Sequence, residues 1–204
     1  MNKIIPSEKF LIILLALILS GCSLFSPVDI ETPKKYTLGE LPPCLPSEQT
    51  PSTTLLVLPP ETRPLYNTTQ MAYTVHPHQI AFFSFNEWSE TPSQMLYPLI
   101  RKTLESTHYF HAIVTPPYVG PHEYVLSTQI LELQQDYTLC PATLRLTLQA
   151  QLSHGTTHEV ITIKEFSIQE PILQRTPYGG VIAANHAAAK ILQQLAEFVL
   201  DNTK

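Results

Sequence analysis

Positive charge is scarce in this chain. Its 204 residues include 12 lysine and arginine residues against 17 aspartate and glutamate residues, and no run of basic side chains occurs. Nucleic-acid binding depends on clustered lysine and arginine that neutralise phosphates. The composition, with a formal net charge of −5, therefore argues against a nucleic-acid partner.

Cysteine is also scarce, and the three residues present form no C-x-x-C motif. A thioredoxin-like redox role, which uses that motif, is therefore disfavoured. Cys44 and Cys140 could form a disulfide in an oxidising compartment, and closing so long a loop would stabilise the fold by about 4 kcal/mol. The sequence leaves two outcomes open, this disulfide or two free thiols.

The chain lacks the short patterns of common hydrolytic and metal chemistry. No G-x-S-x-G, S-x-x-K or H-E-x-x-H sequence occurs. The pairs His76-x-His78 and His108-x-x-His111 supply fewer than the three or four converging ligands of a zinc site. We interpret these histidines as solvated loop residues, and we predict no catalytic residue, no metal site and no cofactor.

No apolar run is long enough to span a bilayer, which requires about 20 residues. The run Phe10–Leu19 follows two lysines and leads into Ser20-Gly21-Cys22. A basic start, a short apolar run and small residues before the cut are typical of a bacterial secretory signal. We predict a signal peptide over residues 1–21.

The tetrapeptide Leu19–Cys22 has the form of a lipobox, in which the cysteine receives a diacylglyceryl thioether and becomes the mature N-terminus. The alternative is an ordinary secretory signal with a chance cysteine. We predict that Cys22 carries fatty acids such as palmitate, and two or three acyl chains would make the attachment permanent. Ser23 replaces the aspartate that holds lipoproteins at the inner membrane of enteric bacteria. This favours an outer-membrane anchor, with the domain in the periplasm, over an inner-membrane one.

Residues 22–34 have no hydrophobic period and contain two prolines, which predicts a flexible tether. Residues 35–204 are long enough for a single domain with its own core. Alternating or β-branched segments predict strands near 35–38, 54–58, 70–75, 79–85, 112–114, 123–134, 143–153 and 160–169.

Two helices are predicted, one from Thr91-Pro92 to near His108 and a longer one after Gly179-Gly180. The strand–helix–strand order around the first helix favours one parallel pair in an otherwise antiparallel sheet of about six or seven strands. The expected fold is α+β, with two helices packed on a mostly antiparallel mixed β-sheet in a single domain.

Trp88, the only tryptophan, ends the aromatic segment Phe82–Trp88 just before the first helix. It could anchor a partner interface, or it could fill the corner between strand and helix. We favour the core position.

Several segments in the same order resemble the ABC-type transport auxiliary lipoprotein family, to which the paraquat-inducible protein C lipoprotein belongs. The most specific is Asn86-Glu-Trp88 with Pro92. The others are the lipobox, Tyr36-x-Leu38, Leu56–Pro60, Gln70–Tyr73, Gln135-Asp136, Leu144-x-Leu-x-Leu148 and Gly179–Asn185. The resemblance runs from Tyr36 to the end of the chain, and the pair Cys44 and Cys140 departs from the family pattern.

The resemblance implies a non-enzymatic accessory of a transport system that moves lipids or other hydrophobic molecules between the inner and outer membranes. The partners it implies are an MCE-domain protein and ABC transporter subunits, and it transfers no catalytic role to any residue. The sequence also leaves open a stand-alone lipoprotein that binds a hydrophobic ligand in its own pocket, and it leaves open whether the chain forms a homo-oligomer.

Overall fold

The computed structural model describes residues 32–43 and 53–203. Contacts divide the chain into two units, Met1–Thr32 and Pro33–Lys204, and the second unit is the one described below. The signal peptide, most of the tether, the lipidation site Cys22 and one member of the predicted disulfide, Cys44, lie outside the described residues. The predictions on these segments stay predictions.

The described residues form nine strands and two α-helices, an α+β fold as the sequence predicts. A single 3-10 turn, Pro64–Tyr66, lies between the third and fourth strands. In chain order the elements are β1 (Lys34–Tyr36), β2 (Thr54–Val57), β3 (Glu61–Thr62), β4 (Gln70–Thr74), β5 (Ala81–Trp88), α1 (Pro92–Ser106), β6 (Ala112–Val114), β7 (Tyr124–Asp136), β8 (Thr143–His154), β9 (Val160–Pro171) and α2 (Pro177–Asn202).

Strand β7 organises the sheet, because three short strands share one of its edges. β2 pairs with residues 124–126, β3 with residues 129–130 and β4 with residues 134–136, all in parallel. The other edge of β7 pairs antiparallel with β8 along its length, and β9 follows β8. β6 extends the sheet from β2, and β5 and β1 extend it from β4.

The expectation of a single parallel pair is wrong, since five of the eight strand pairings are parallel. The strands that flank α1, β5 and β6, do not pair with each other. β5 lies between β1 and β4, and β6 pairs with β2. The long ladders β7–β8 and β8–β9 are antiparallel, so the mixed sheet is antiparallel along most of its paired length. The predicted strand count was too low, in part because β3 is only two residues long.

Alternation along β8 builds the core. Leu144, Leu146, Leu148 and Leu152 are at most 1% exposed, and α2 packs on β8 and β9. Fully burying one such side chain contributes about 1.5–3 kcal/mol. Five of the six alanines of α2 are also buried and let the helix approach the sheet closely.

The first helix begins where the sequence predicts, whereas α2 begins at Pro177 and includes Gly179 and Gly180, which the sequence placed before it. Thr91 and Thr176 occupy the N-cap positions, and a proline takes the first helical position in each case. The backbone N–H of Thr91 donates to Gln94 Oε1 at 3.0 Å, and Thr176 Oγ1 accepts from the backbone N–H of Gly179 at 3.0 Å. These bonds satisfy backbone groups that a helix start otherwise leaves unpaired.

Candidate functional site

The register of the sheet brings several strand ends to one end of the domain. Thr74 pairs with Asp136, Asp136 with Thr143, and Thr143 with Pro171. The connections that leave these strands, residues 75–80, 137–142 and 172–176, therefore lie together with residues 177–178, which begin α2. We call this region the loop end.

Buried glutamines end β7 beneath the loop end. Gln134 and Gln135 are 4% and 1% exposed. Tyr66 Oη donates to Gln134 Oε1 at 2.9 Å, and Tyr137 Oη donates to Gln135 Oε1 at 2.6 Å. Burial raises the pKa of both tyrosines to about 12, so both hydroxyls keep their protons and remain donors. Gln135 Nε2 in turn donates to the carbonyl of Pro177, which joins β7 to the start of α2.

An arginine bridges two carboxylates beside these glutamines. Arg145 Nη2 lies 2.5 Å from Glu132 Oε1, and its Nη1 lies 3.6 Å from Asp136 Oδ2. Asp136 Oδ1 also accepts from the backbone N–H of Thr138 at 2.9 Å. One guanidinium shared by two carboxylates leaves no surplus positive charge that would hold an anion.

The arginine cluster forms part of the wall of an open cleft of about 400 Å³. The wall also includes Gln134 and the β4–β5 turn around His78 and Ile80. Of the polar side chains in the wall, Gln134, Asp136 and the terminal nitrogens of Arg145 have partners in the fold. Across residues 32–43 and 53–203, no group of three or more histidine, cysteine, aspartate or glutamate side chains is arranged to hold a metal ion.

A second polar junction joins the segment after β1 to helix α2. Residues 37–43, which we call the strap, follow β1 and contact α2 through Asn185. Asn185 Oδ1 accepts from the backbone N–H groups of Gly39 at 2.8 Å and Glu40 at 3.2 Å. Its Nδ2 donates to the carbonyl of Thr37 at 3.3 Å. One side chain therefore satisfies three backbone groups of the strap.

Asn185→Ala should release the strap from α2. We expect a loss of about 1–2 kcal/mol in the free energy of unfolding, because three hydrogen bonds disappear together. Amide hydrogen exchange should become faster at Gly39 and Glu40. Gln193→Ala on the same helix is the control, since Gln193 bonds only within the helix, to Glu197. Equal exchange rates in both variants would contradict this assignment.

Trp88 lies in the core at the end of β5, 3% exposed. In the sheet Trp88 is the β-ladder partner of Tyr36 in β1. The backbone N–H of Trp88 donates to the carbonyl of Thr69 at 2.7 Å. Tyr36 Oη donates to Asn86 Oδ1 at 3.2 Å. The corner between β5 and α1, where the sequence placed Trp88, is thus also the attachment point of β1.

The remaining predicted residues are dispersed. Cys140 is exposed in the β7–β8 connection, and its predicted partner Cys44 lies outside the described part of the chain, so the disulfide stays a prediction. The four histidines of the two sequence pairs, His76, His78, His108 and His111, are all exposed. His78 and His108 adopt left-handed backbone conformations, with φ of 65° and 53°. The two histidine pairs lie on different connections of the fold.

Gln135 and Asn185 lie inside the family-like segments, and the sequence assigns no role to either side chain. Arg145 is half-buried between carboxylates, and the sequence assigns it no role either. The available signal was the position of Gln135-Asp136 at the end of an apolar strand. Nothing in the sequence shows that Gly180 approaches Gln135, since the two lie on different elements.

Among the residues that the structure describes, no helix combines the length and the apolar character needed to cross a membrane.

Comparison with known proteins gives a family and several similar folds. The model of the ABC-type transport auxiliary lipoprotein component matches residues 36–197. A crystal structure of a protein from Xanthomonas campestris is 17% identical, with a TM-score of 0.73 over 84% of this chain and 96% of that one. No curated protein matches the sequence.

Two further solved structures share the fold. One is an uncharacterised protein, 14% identical, with a TM-score of 0.67 over 83% of this chain and 99% of that one. The other is a hypothetical protein from Chlamydia trachomatis, 10% identical, with a TM-score of 0.50 over 74% of this chain and all of that one. At these identities the likeness shows a shared fold.

Proposed function

Because this chain belongs to the ABC-type transport auxiliary lipoprotein family, we propose that it is a non-enzymatic accessory of an ABC/MCE transport system. The system would move lipids or other hydrophobic molecules between the inner and outer membranes. The domain would face the periplasm from the outer membrane and dock on the MCE-domain protein. The observation that carries the proposal is the family match, which spans nearly all of the folded unit.

The buried polar groups support a structural rather than a chemical use of this domain. The tyrosine–glutamine pairs are satisfied inside the fold, and the terminal nitrogens of Arg145 pair with Glu132 and Asp136, while its Nε has no hydrogen-bond partner. A catalytic base or nucleophile needs a free reactive atom within reach of a substrate. Binding to a partner needs only surface, so it fits this distribution better.

The proposal is tested by affinity purification of the tagged full chain from cell envelopes. An MCE-domain protein and ABC subunits should co-purify after chemical cross-linking. Recovery of outer-membrane β-barrel assembly factors, with neither MCE nor ABC components, would remove the proposal. A second lipoprotein from the same envelope, tagged identically, controls for non-specific membrane capture.

A stand-alone carrier of a hydrophobic ligand is the competing function. Pockets that enclose a drug-sized ligand usually measure about 300–1,000 Å³ and are lined mostly by apolar groups. The apolar cleft beside Leu173 and Ile182 measures only about 150 Å³, and the cleft of about 400 Å³ is lined by glutamine, aspartate and arginine. The geometry favours the accessory role. Lipid recovered by mass spectrometry from the purified chain at one molecule per chain would reverse this preference.

Cys22→Ser should abolish anchoring. Without the thiol there is no atom for the diacylglyceryl thioether, and we expect an uncleaved or mislocalised precursor that incorporates no radioactive palmitate. Cys140→Ser is the matched control and should label normally, because Cys140 lies far along the chain from the lipobox. Label that persists in Cys22→Ser would show that the lipobox interpretation is wrong.

A further inference from the structure

Large apolar side chains are exposed at the loop end. Leu173 is 90% exposed and Tyr178 is 54% exposed. Three others are exposed on the two neighbouring connections: Val75, Ile80 and Leu139. Single exposed apolar residues are ordinary on a protein surface, but five at one end of a domain, four on its connections and one in the first turn of α2, call for an explanation.

The connections at this end carry almost no charge. The stretches 75–80, 137–142 and 172–178 contain no aspartate, glutamate or lysine, and their one charged residue is Arg175. The carboxylates at the adjoining strand ends, Asp136 and Glu170, have side chains that are only 7% and 12% exposed, and they pair with Arg145 and Lys190. The opposite end of the domain exposes Glu123, Glu159 and Asp201. The apolar end therefore exposes a cation and keeps its carboxylates largely buried and paired.

Hydrogen bonds hold the three connections together. Arg175 Nη2 donates to the carbonyl of Tyr137 at 2.7 Å, and the backbone N–H of Ile172 donates to Ala142 at 2.7 Å. The backbone N–H of Tyr137 donates to Thr74 at 2.8 Å. The apolar side chains are therefore presented on a braced framework that ends the sheet, rather than on independent loops.

We propose that the loop end rests on the surface of a lipid bilayer. Its aliphatic side chains and Tyr178 enter the boundary between headgroups and acyl chains, and Arg175 lies at the level of the phosphates. Interfacial binding combines buried apolar area with attraction of cations to anionic lipids, and aromatic residues concentrate at that depth. The connections carry no carboxylate of their own, which fits an anionic surface that would repel one.

The covalent reach of the chain permits this contact. The 11 residues between Cys22 and Lys34 span at most about 40 Å when fully extended. The 26-residue helix α2, which begins at the loop end, is about 39 Å long at 1.5 Å per residue. The extended tether is therefore as long as the domain measured along α2. The inference uses the predicted lipid anchor and is independent of any MCE or ABC partner, so purification of those partners tests a different claim.

The test uses the full chain, extracted from membranes and reconstituted into vesicles of phosphatidylethanolamine and phosphatidylglycerol. In a Cys44→Ser background, an environment-sensitive fluorophore is attached to Cys140, which is exposed at the loop end. Lipids carrying a doxyl quencher in the acyl chain then report contact with the bilayer. The matched probe is at Val119→Cys in a Cys44→Ser, Cys140→Ser background. Val119 is 98% exposed in the connection that leads into the start of β7, away from Cys140.

We expect quenching of the probe at position 140 and none at position 119. Leu173→Glu combined with Tyr178→Glu should abolish the quenching at position 140, whereas Ile163→Glu, on an exposed site of β9, should preserve it. Equal quenching of the two probes, quenching at neither position, equal loss in the Ile163→Glu control, or a chain that fails to sediment with the vesicles would each overturn the proposal.

Discussion

Trp88→Ala is expected to lower the free energy of unfolding by about 3–5 kcal/mol, the usual cost of truncating a buried aromatic side chain to alanine. Trp88 is 3% exposed and belongs to the main core. The loss has two parts, the transfer free energy of the indole and the cavity that remains between β5 and α1. Because β1 pairs with β5 at this residue, the attachment of the N-terminal strand should weaken as well.

Thermal melting of the full chain in detergent measures the effect. For a domain of this size a loss of 3–5 kcal/mol corresponds to a decrease of about 6–20 °C in Tm. Phe85→Ala is the matched control, since Phe85 lies on the same strand but is 52% exposed, and its Tm should fall far less. An unchanged Tm in Trp88→Ala, together with lost capture of the MCE partner, would place Trp88 in an interface.

The parts of the fold that follow local rules could be predicted from the sequence. The period-two pattern of Leu144 to Leu152 and the adjoining turn predict the β8–β9 hairpin. The Thr91-Pro92 start and the helical spacing predict the first helix, and the apolar stripe from Val181 predicts the second, although not its start at Pro177. In each case the pattern is complete within one segment, and burial on one side of the element follows from it directly.

The arrangement around β7 could not be predicted, because it depends on contacts between distant segments. Three strands of two to five residues share one edge of β7, and a two-residue strand such as β3 has no period to detect. The short strands pair in parallel, which brings together segments far apart in sequence. Local patterning carries no information on which segments these are.

The contacts of Gln135 and Asn185 could not be predicted either, because they too depend on segments that are distant in sequence. Gln135 and Asn185 are ordinary polar residues in sequence, and their importance comes from the partners that the fold supplies. A glutamine at the end of an apolar strand becomes informative only when a second chain segment closes over it. Here that segment is the start of α2, where Gly179 and Gly180 are both buried.

Gly180→Ala is expected to lower the free energy of unfolding by about 2–4 kcal/mol, although alanine has the higher helix propensity. A methyl group at this position would lie 2.0 Å from the side-chain amide carbon of Gln135. The amide must therefore move, which breaks its hydrogen bonds with Tyr137 and Pro177. Because Gln135 is 1% exposed, water does not readily replace them.

A double-mutant cycle separates this explanation from a general effect on the helix. In a Gln135→Ala background the obstructing amide is gone, so Gly180→Ala should become neutral or stabilise by up to about 1 kcal/mol, the helix-propensity difference between alanine and glycine. Gly39→Ala is the control, since no atom lies within 4 Å of its added methyl group, and it should change the unfolding free energy little. Urea unfolding of the four cycle members gives the coupling energy. If Gly180→Ala destabilises the chain equally with and without Gln135, the close approach of α2 to β7 at this residue does not account for the glycine.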